Sequence, residues 1–305
     1  MWRSFLARST LKVRDDLVRK TTISNKLDSY MGVFDPNRIN KHQVLYLVVE
    51  WVLRDDEIIY INKMAQQKPI IFASYWSRFL ARCYNCPVVH HEVSEKFEKL
   101  PLSQTKYDQF NGFSIFFQLI RKNPDIVKEV IAKVKKGRIL IVSNDCSWMP
   151  PNTPHVCLPK FGLVSEMELK SMMYNKYYLW LSGGEGFGLP PLEASYLGSP
   201  PIAFPVMPLT EWYPSDLKRF LIPDKLTKIE GIYQGGVLHP MARPTDVGEL
   251  VKFIEDMLTD QPTSEEKKAL SDYIKDNYTG GKQYRRIDEY IQQKFPQLLA
   301  VSVIP

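Results

Sequence analysis

The chain is expected to belong to the α/β class, with parallel sheet covered by helices and two domains along its length. Short β-branched runs alternate with amphipathic helical segments through the second half, the pattern of a parallel sheet buried on both faces. The length of 305 residues suits two modest domains better than one. Hydrophobic residues make up 44% of the chain, enough to fill packed cores and to exclude wholesale disorder.

In the first half, residues 44–52 and 69–74 read as buried strands, and 87–93 as a further strand. Residues 58–67 and 75–84 have helical spacing. A polar, proline-bearing stretch at 98–106 marks a domain boundary. The expected division is 1–104, 105–280 and a C-terminal helical segment 281–305 that packs back on the N-terminal part. In the second half, 124–137 is a helix that opens on Pro124 and stops at Gly137. Strands follow at 138–143 and 155–158. Ser165, followed by acids, caps a helix over 165–175. Further strands are expected at 176–181 and 200–204, and helices at 246–260 and 281–295.

The formal charge is +6 and the sequence pI about 8.9, a balance that suits phosphate-bearing ligands or acidic lipid surfaces. No dense Lys/Arg run or nucleic-acid motif occurs, so nucleic acid is not an expected partner. No apolar run is long enough to span a membrane. The first twenty residues lack the apolar middle of a secretion signal and read as a basic amphipathic helix. Its Trp2, Phe5, Leu6 and Leu11 suit either peripheral membrane contact or packing on their own domain. A cytoplasmic location with reduced thiols is the expectation. Cys83 and Cys86, followed by His90 and His91, leave zinc, a local disulfide and buried thiols open, with Cys146 and Cys157 as the remaining sulfurs.

Residues 182–194, SGGEGFGLPPLEA, carry the chemistry. They follow a strand, and Gly183, Gly184, Gly186 and Gly188 let the main chain approach a ligand closely. Pro190 and Pro191 fall in the first turn of the next helix, where a missing N–H costs little. The N-terminus of that helix presents amides and a positive dipole end, suited to a diphosphate. Glu185 and Glu193 bracket the loop, and each carboxylate can accept both hydrogen bonds of a vicinal diol.

Together, EGFGLPPLEASYLGSPPIAF resembles the signature of the retaining glycosyltransferase family four. The resemblance implies two Rossmann-like domains facing across a cleft, the GT-B type, here with a reduced N-terminal domain. It matches Glu185 to the acid that binds donor-sugar hydroxyls and Glu193 to the acid that binds the nucleotide ribose. Gly186, Phe187, Gly188 and Leu189 match the segment whose amides meet sugar and diphosphate, and Gly198 and Pro200 the turn after the helix. Gly162, Leu163 and Val164 are similar to the base-binding turn. Residues 116–131 resemble the first strand, basic loop and first helix, with Arg121 and Lys122 as the pair facing the diphosphate. Where the family often has a Gly-Arg pair, this chain has Gln118 and Leu119. Where many members carry an N-domain histidine, it has Glu50, whose carboxylate suits a positive charge developing on the sugar; His42, His90 and His91 are further candidates.

The activity implied is transfer of a hexose from a UDP- or GDP-sugar to an acceptor glycan, lipid or protein, with retention. Glu185, Lys122 and Glu50 would act at the reacting centre. No Asp-x-Asp triad occurs, so neither metal nor resident cofactor is expected. An inverting transferase and a catalytically silent sugar-nucleotide-binding or scaffold protein stand as alternatives, and self-association stays open.

Overall fold

The computed structural model describes residues 29–33, 35, 42–102, 106–116, 118–234 and 236–300. The basic amphipathic segment expected over the first twenty residues lies outside them. The chain divides into two compact units, 1–98 with 277–305, and 99–276.

Among the described residues, the first unit contains β1 (Ser29–Val33) and β2 (Val44–Val48), then α1 (Asp55–Ala65), β3 (Ile70–Phe72) and α2 (Tyr75–Leu80). Its sheet is parallel, in the order β1-β2-β3. Leu45, Leu47, Ile70 and Phe72 are fully buried and pack with Ile58, Ile61 and Met64 of α1. Ser74 caps α2 by accepting from the Ser77 amide. The strand expected at 87–93 does not form: only Val88 bridges Phe72, and the run passes on without regular structure. Its polar ends explain this. His91 is buried against the Tyr46 ring, and Glu92 turns its carboxylate to other backbone.

The second unit contains β4 (Gly112–Phe116), α3 (Pro124–Lys133), β5 (Ile139–Ser143), β6 (Val156–Leu158), α4 (Glu166–Met173), β7 (Tyr177–Trp180), α5 (Leu189–Tyr196) and β8 (Pro201–Ala203). A hairpin, β9 (Thr227–Gln234) and β10 (Val237–Pro244), precedes α6 (Val247–Thr259) and α7 (Ser264–Asn277). The first strand of this unit thus ends at Phe116 rather than starting there. Five parallel strands lie in the order β6-β5-β4-β7-β8. The chain runs outward from β4 through β5 to β6, then crosses back to β7 and β8. The order therefore reverses between β4 and β7, the place where open α/β sheets bind ligands beyond the carboxyl ends of their strands.

Alternation along β7 divides the faces. Tyr177 and Leu179 join the core that α3 and α6 cover with Val127, Val130, Leu250 and Ile254. Tyr178 and Trp180 face the other way and stack on each other at 5.5 Å between ring centroids. Helix capping follows the sequence: Ser165 accepts from the Glu168 amide and Asp246 from the Glu249 amide.

The chain returns to the first unit through Gly280 and Gly281, both at positive φ, and ends in α8 (Arg285–Lys294) and a final helical turn. Glu92, 2% exposed, holds this return by accepting from the amides of Gly281 and Gln283. The four cysteines are paired as Cys83–Cys86 and Cys146–Cys157. This corrects the expectation of reduced thiols and removes the zinc reading, since a sulfur bonded to sulfur is no thiolate ligand. No helix among the described residues is long and apolar enough to cross a membrane.

Candidate functional site

The loop after β4 and the loop after β7 meet at the switch point of the second unit. A 3-10 turn over Ile120–Lys122 carries Arg121 and Lys122, and Asn123 closes it in the left-handed region at φ 49°. The backbone carbonyl of Arg121 accepts from the amides of Gly183 (2.9 Å) and Gly184 (3.3 Å) and from the Ser182 hydroxyl (3.1 Å). Asn123 donates its side-chain amide to the carbonyls of Leu181 (3.0 Å) and Ala242 (2.9 Å), and the Ala242 amide donates to Gly183 (2.7 Å). The two loops and strand β10 are thereby fixed to one another by backbone groups and the Asn123 side chain. Gly183 is required by space: a Cβ there would lie 2.7 Å from the Ala242 carbonyl and 2.9 Å from Asn123 Nδ2.

This scaffold buries an ion pair. Lys122, 7% exposed, donates to Glu185, 8% exposed, and Arg121 Nη1 lies 3.6 Å from the second carboxylate oxygen. Burial alone would raise the Glu185 pKa, but the charges of Lys122 and Arg121 outweigh it and hold the carboxyl below its ordinary value. The Lys122 ammonium also sits 4.2 Å from the centre of the Trp180 ring, a cation–π contact in a desolvated place. The aromatic wall of Tyr178 and Trp180 was legible in the sequence only as a strand. Burial, with the charges of Glu193 and Glu185 adding to it, keeps the Tyr178 phenol protonated.

Gly188, at φ +92°, turns the chain into α5, and Leu189, Pro190 and Pro191 form its first turn. Phe187 is buried against Trp212, whose indole N–H donates to the Phe187 carbonyl at 3.3 Å. The amides of Gly183 and Gly184 are used by Arg121, so any main-chain contribution to a ligand comes from the later part of the loop, 186–189. Glu193 follows in α5 with most of its surface covered. Burial, with the nearby charge of Glu166 adding to it, pushes its carboxyl up to about 8.

Gly162, at φ +77°, Leu163 and Val164 form an exposed turn after β6, closed by the Leu163 and Val164 amides on the Lys160 carbonyl. Leu163 is 79% exposed, an apolar side chain left in water beside the start of α4. The structure thus brings Arg121, Lys122 and Glu185 into direct contact and keeps 186–189, Glu193 and 162–164 on the same carboxyl edge. Glu50 belongs to the first unit, two residues beyond the end of β2.

No protein-family model matches the chain. A protein of Sulfolobus islandicus filamentous virus (isolate Iceland/Hveragerdi) named "Putative glycosyltransferase 41" is 29% identical over 156 residues, 48% of this chain and 42% of that protein. The chain therefore matches less than half the length of this relative. Among solved structures, a glycosyltransferase from Rickettsia africae ESF-5 is similar at a TM-score of 0.58 and 12% identity, covering 84% of this chain and 77% of that one. Anabaena Alr3699/HepE in complex with UDP and glucose reaches 0.53 at 11% identity, covering 84% and 80%. The fold is thus that of GT-B glycosyltransferases, α/β units with Rossmann-like parallel sheets.

Proposed function

We propose that the chain transfers a hexose from a nucleotide-diphosphate sugar to an acceptor, with retention of configuration and without a metal. The observation that carries this reading is the buried Glu185 carboxylate, held by Lys122 and Arg121 at the switch point of the five-stranded sheet. The viral relative's name and the UDP and glucose bound to the Anabaena protein support it, and favour UDP over GDP in the donor.

Two cations meet at one carboxylate, where the phosphates of a donor would engage them. As the diphosphate engages Lys122 and Arg121, Glu185 is released to accept hydroxyls of the hexose, orienting it for attack from the face the diphosphate leaves. Lys122, steadied on Trp180, then stabilises charge growing on the leaving oxygen. Glu193 would hold the ribose diol, and the Gly162–Val164 turn the base. On the resemblance, Glu50 would face the developing positive charge of the sugar. The second reading is a silent sugar-nucleotide binder, favoured by Glu50 standing where the resemblance has a histidine.

A thermal-shift screen of UDP-, GDP- and ADP-sugars tests donor binding, because a ligand of the folded state stabilises by mass action. Slow hydrolysis of the stabilising donor, lost in Glu185→Ala, supports the enzyme; donor binding with no turnover toward water or any acceptor supports the silent binder.

A further inference from the structure

At the amino end of the same sheet, opposite the site just described, a cavity of about 380 Å³ opens between α4, α5 and α7. The segments that line it precede strands: Tyr174 and Asn175 before β7, Leu197 and Gly198 before β8. Gly198, at φ +72°, lets α7 come so close that an added Cβ would lie 2.9 Å from the Lys267 carbonyl. The small-residue turn after the signature helix therefore also sets the shape of this cavity.

Its wall is cationic. Lys170, Lys267, Lys268 and Lys275 line it, and no acid is among its lining residues. Lys170 is 4% exposed, and its ammonium donates to the Leu100 carbonyl at 2.8 Å. The Lys170 and Lys275 ammonium groups lie 5.8 and 5.5 Å from the centre of the Tyr196 ring. Lys268 pairs with Asp272, whose charge is also felt by Lys275. Lys267 is different: burial alone acts on its ammonium and lowers its pKa. Lys176, buried beneath, is lowered by burial and by the charge of Lys267, against the pull of Asp108. The four lysines line one open cavity, and two of them, Lys170 and Lys275, lie over the same Tyr196 ring.

We infer that this cavity binds a phosphate-bearing ligand, at a second site separate from the donor site. Lysines are compact point charges that suit a phosphate approached from several directions, and an incoming anion offsets the desolvation of Lys267 and Lys176. The volume falls in the range of small-ligand sites, so phosphate with an attached ring fits beside Tyr174 and Tyr196. The inference does not rest on glycosyl transfer.

Lysine acetylation of the full chain, read peptide by peptide with and without inorganic tripolyphosphate, tests it without any substitution. Lys267 and Lys275 are expected to be protected severalfold, while exposed Lys133 and Lys252 react as before. Calorimetric titration with tripolyphosphate gives the second readout: Lys267→Gln/Lys275→Gln is expected to weaken binding at least about tenfold, and Lys133→Gln/Lys252→Gln less than about twofold. Protection confined to Lys122, uniform protection of all lysines, or equal weakening by both pairs would overturn the proposal.

Discussion

Among the described residues, the second unit sets five parallel strands around a switch point and places a buried, charged cluster at its carboxyl edge, whereas the first unit sets three strands and turns the buried Glu92 carboxylate to backbone amides. Glu185 and Glu92 are both under a tenth exposed. Glu185 meets two cationic side chains that a charged ligand can draw away. Glu92 meets the amides of Gly281 and Gln283, which nothing can displace without unfolding the return of the chain. On the proposed reading, the partners of a buried carboxylate, and not its burial alone, separate a working group from a structural one.

The largest expected effect comes from breaking the charged cluster. Lys122→Ala should lower transfer about 100-fold or more, the scale of losing one preorganised group at a developing charge. It should also destabilise the fold by about 3 kcal/mol, since Glu185 is left half compensated. The double variant Lys122→Met/Glu185→Gln should recover most of that stability and none of the activity, measured by denaturant unfolding and product formation. Recovery of both would make the cluster structural, like Glu92.

Glu92→Ala should cost about 2–4 kcal/mol in urea unfolding, because two buried amides lose a charged acceptor, with donor affinity unchanged. Gly183→Ala should cost about 1–3 kcal/mol, as overpacking against the Ala242 carbonyl forces the loops and β10 apart. A Tm equal to the parent's would show that these loops yield freely.

The mildest effect is a pH slope. Glu193 has its pKa raised to about 8, so it is protonated at neutral pH before any ligand binds. A ribose diol donates to the carboxylate form, so binding of an intact nucleotide sugar must release the proton. Affinity should therefore rise with pH by up to about tenfold per unit below about 8 and level off above it. Glu193→Gln should flatten the slope. The same raised pKa means the free protein loses stability as pH rises from the ordinary carboxyl range through about 8, and Glu193→Gln should raise the Tm on the alkaline side.

Most helices and strands of the second unit were legible because each carries its own punctuation: Pro124 opening α3, Ser165 and Asp246 capping, glycines where the chain turns into α5. The proximity of Arg121 and Lys122 to Glu185 was not legible from periodicity; it arises from a crossover that brings β7 beside β4, and only the resemblance pointed to it. The hairpin β9–β10 and helix α7 were missed. In the first, β9 is mostly exposed and β10 carries Pro240 and Pro244 with no regular alternation of buried residues; in the second, charged residues crowd the helix around buried Leu270 and Ile274. The run at 87–93 misled because its apolar residues serve burial without a ladder. The disulfides depended on partners brought together in space, which spacing cannot reveal for Cys146 and Cys157.

The central claim, that the carboxyl edge of the second unit is a donor site built on Lys122 and Glu185, is tested most directly by calorimetric titration of UDP-sugars into the parent and Lys122→Ala chains. The account predicts saturable binding to the parent and at least about tenfold weaker binding to the variant. Equal affinity in both chains would contradict it.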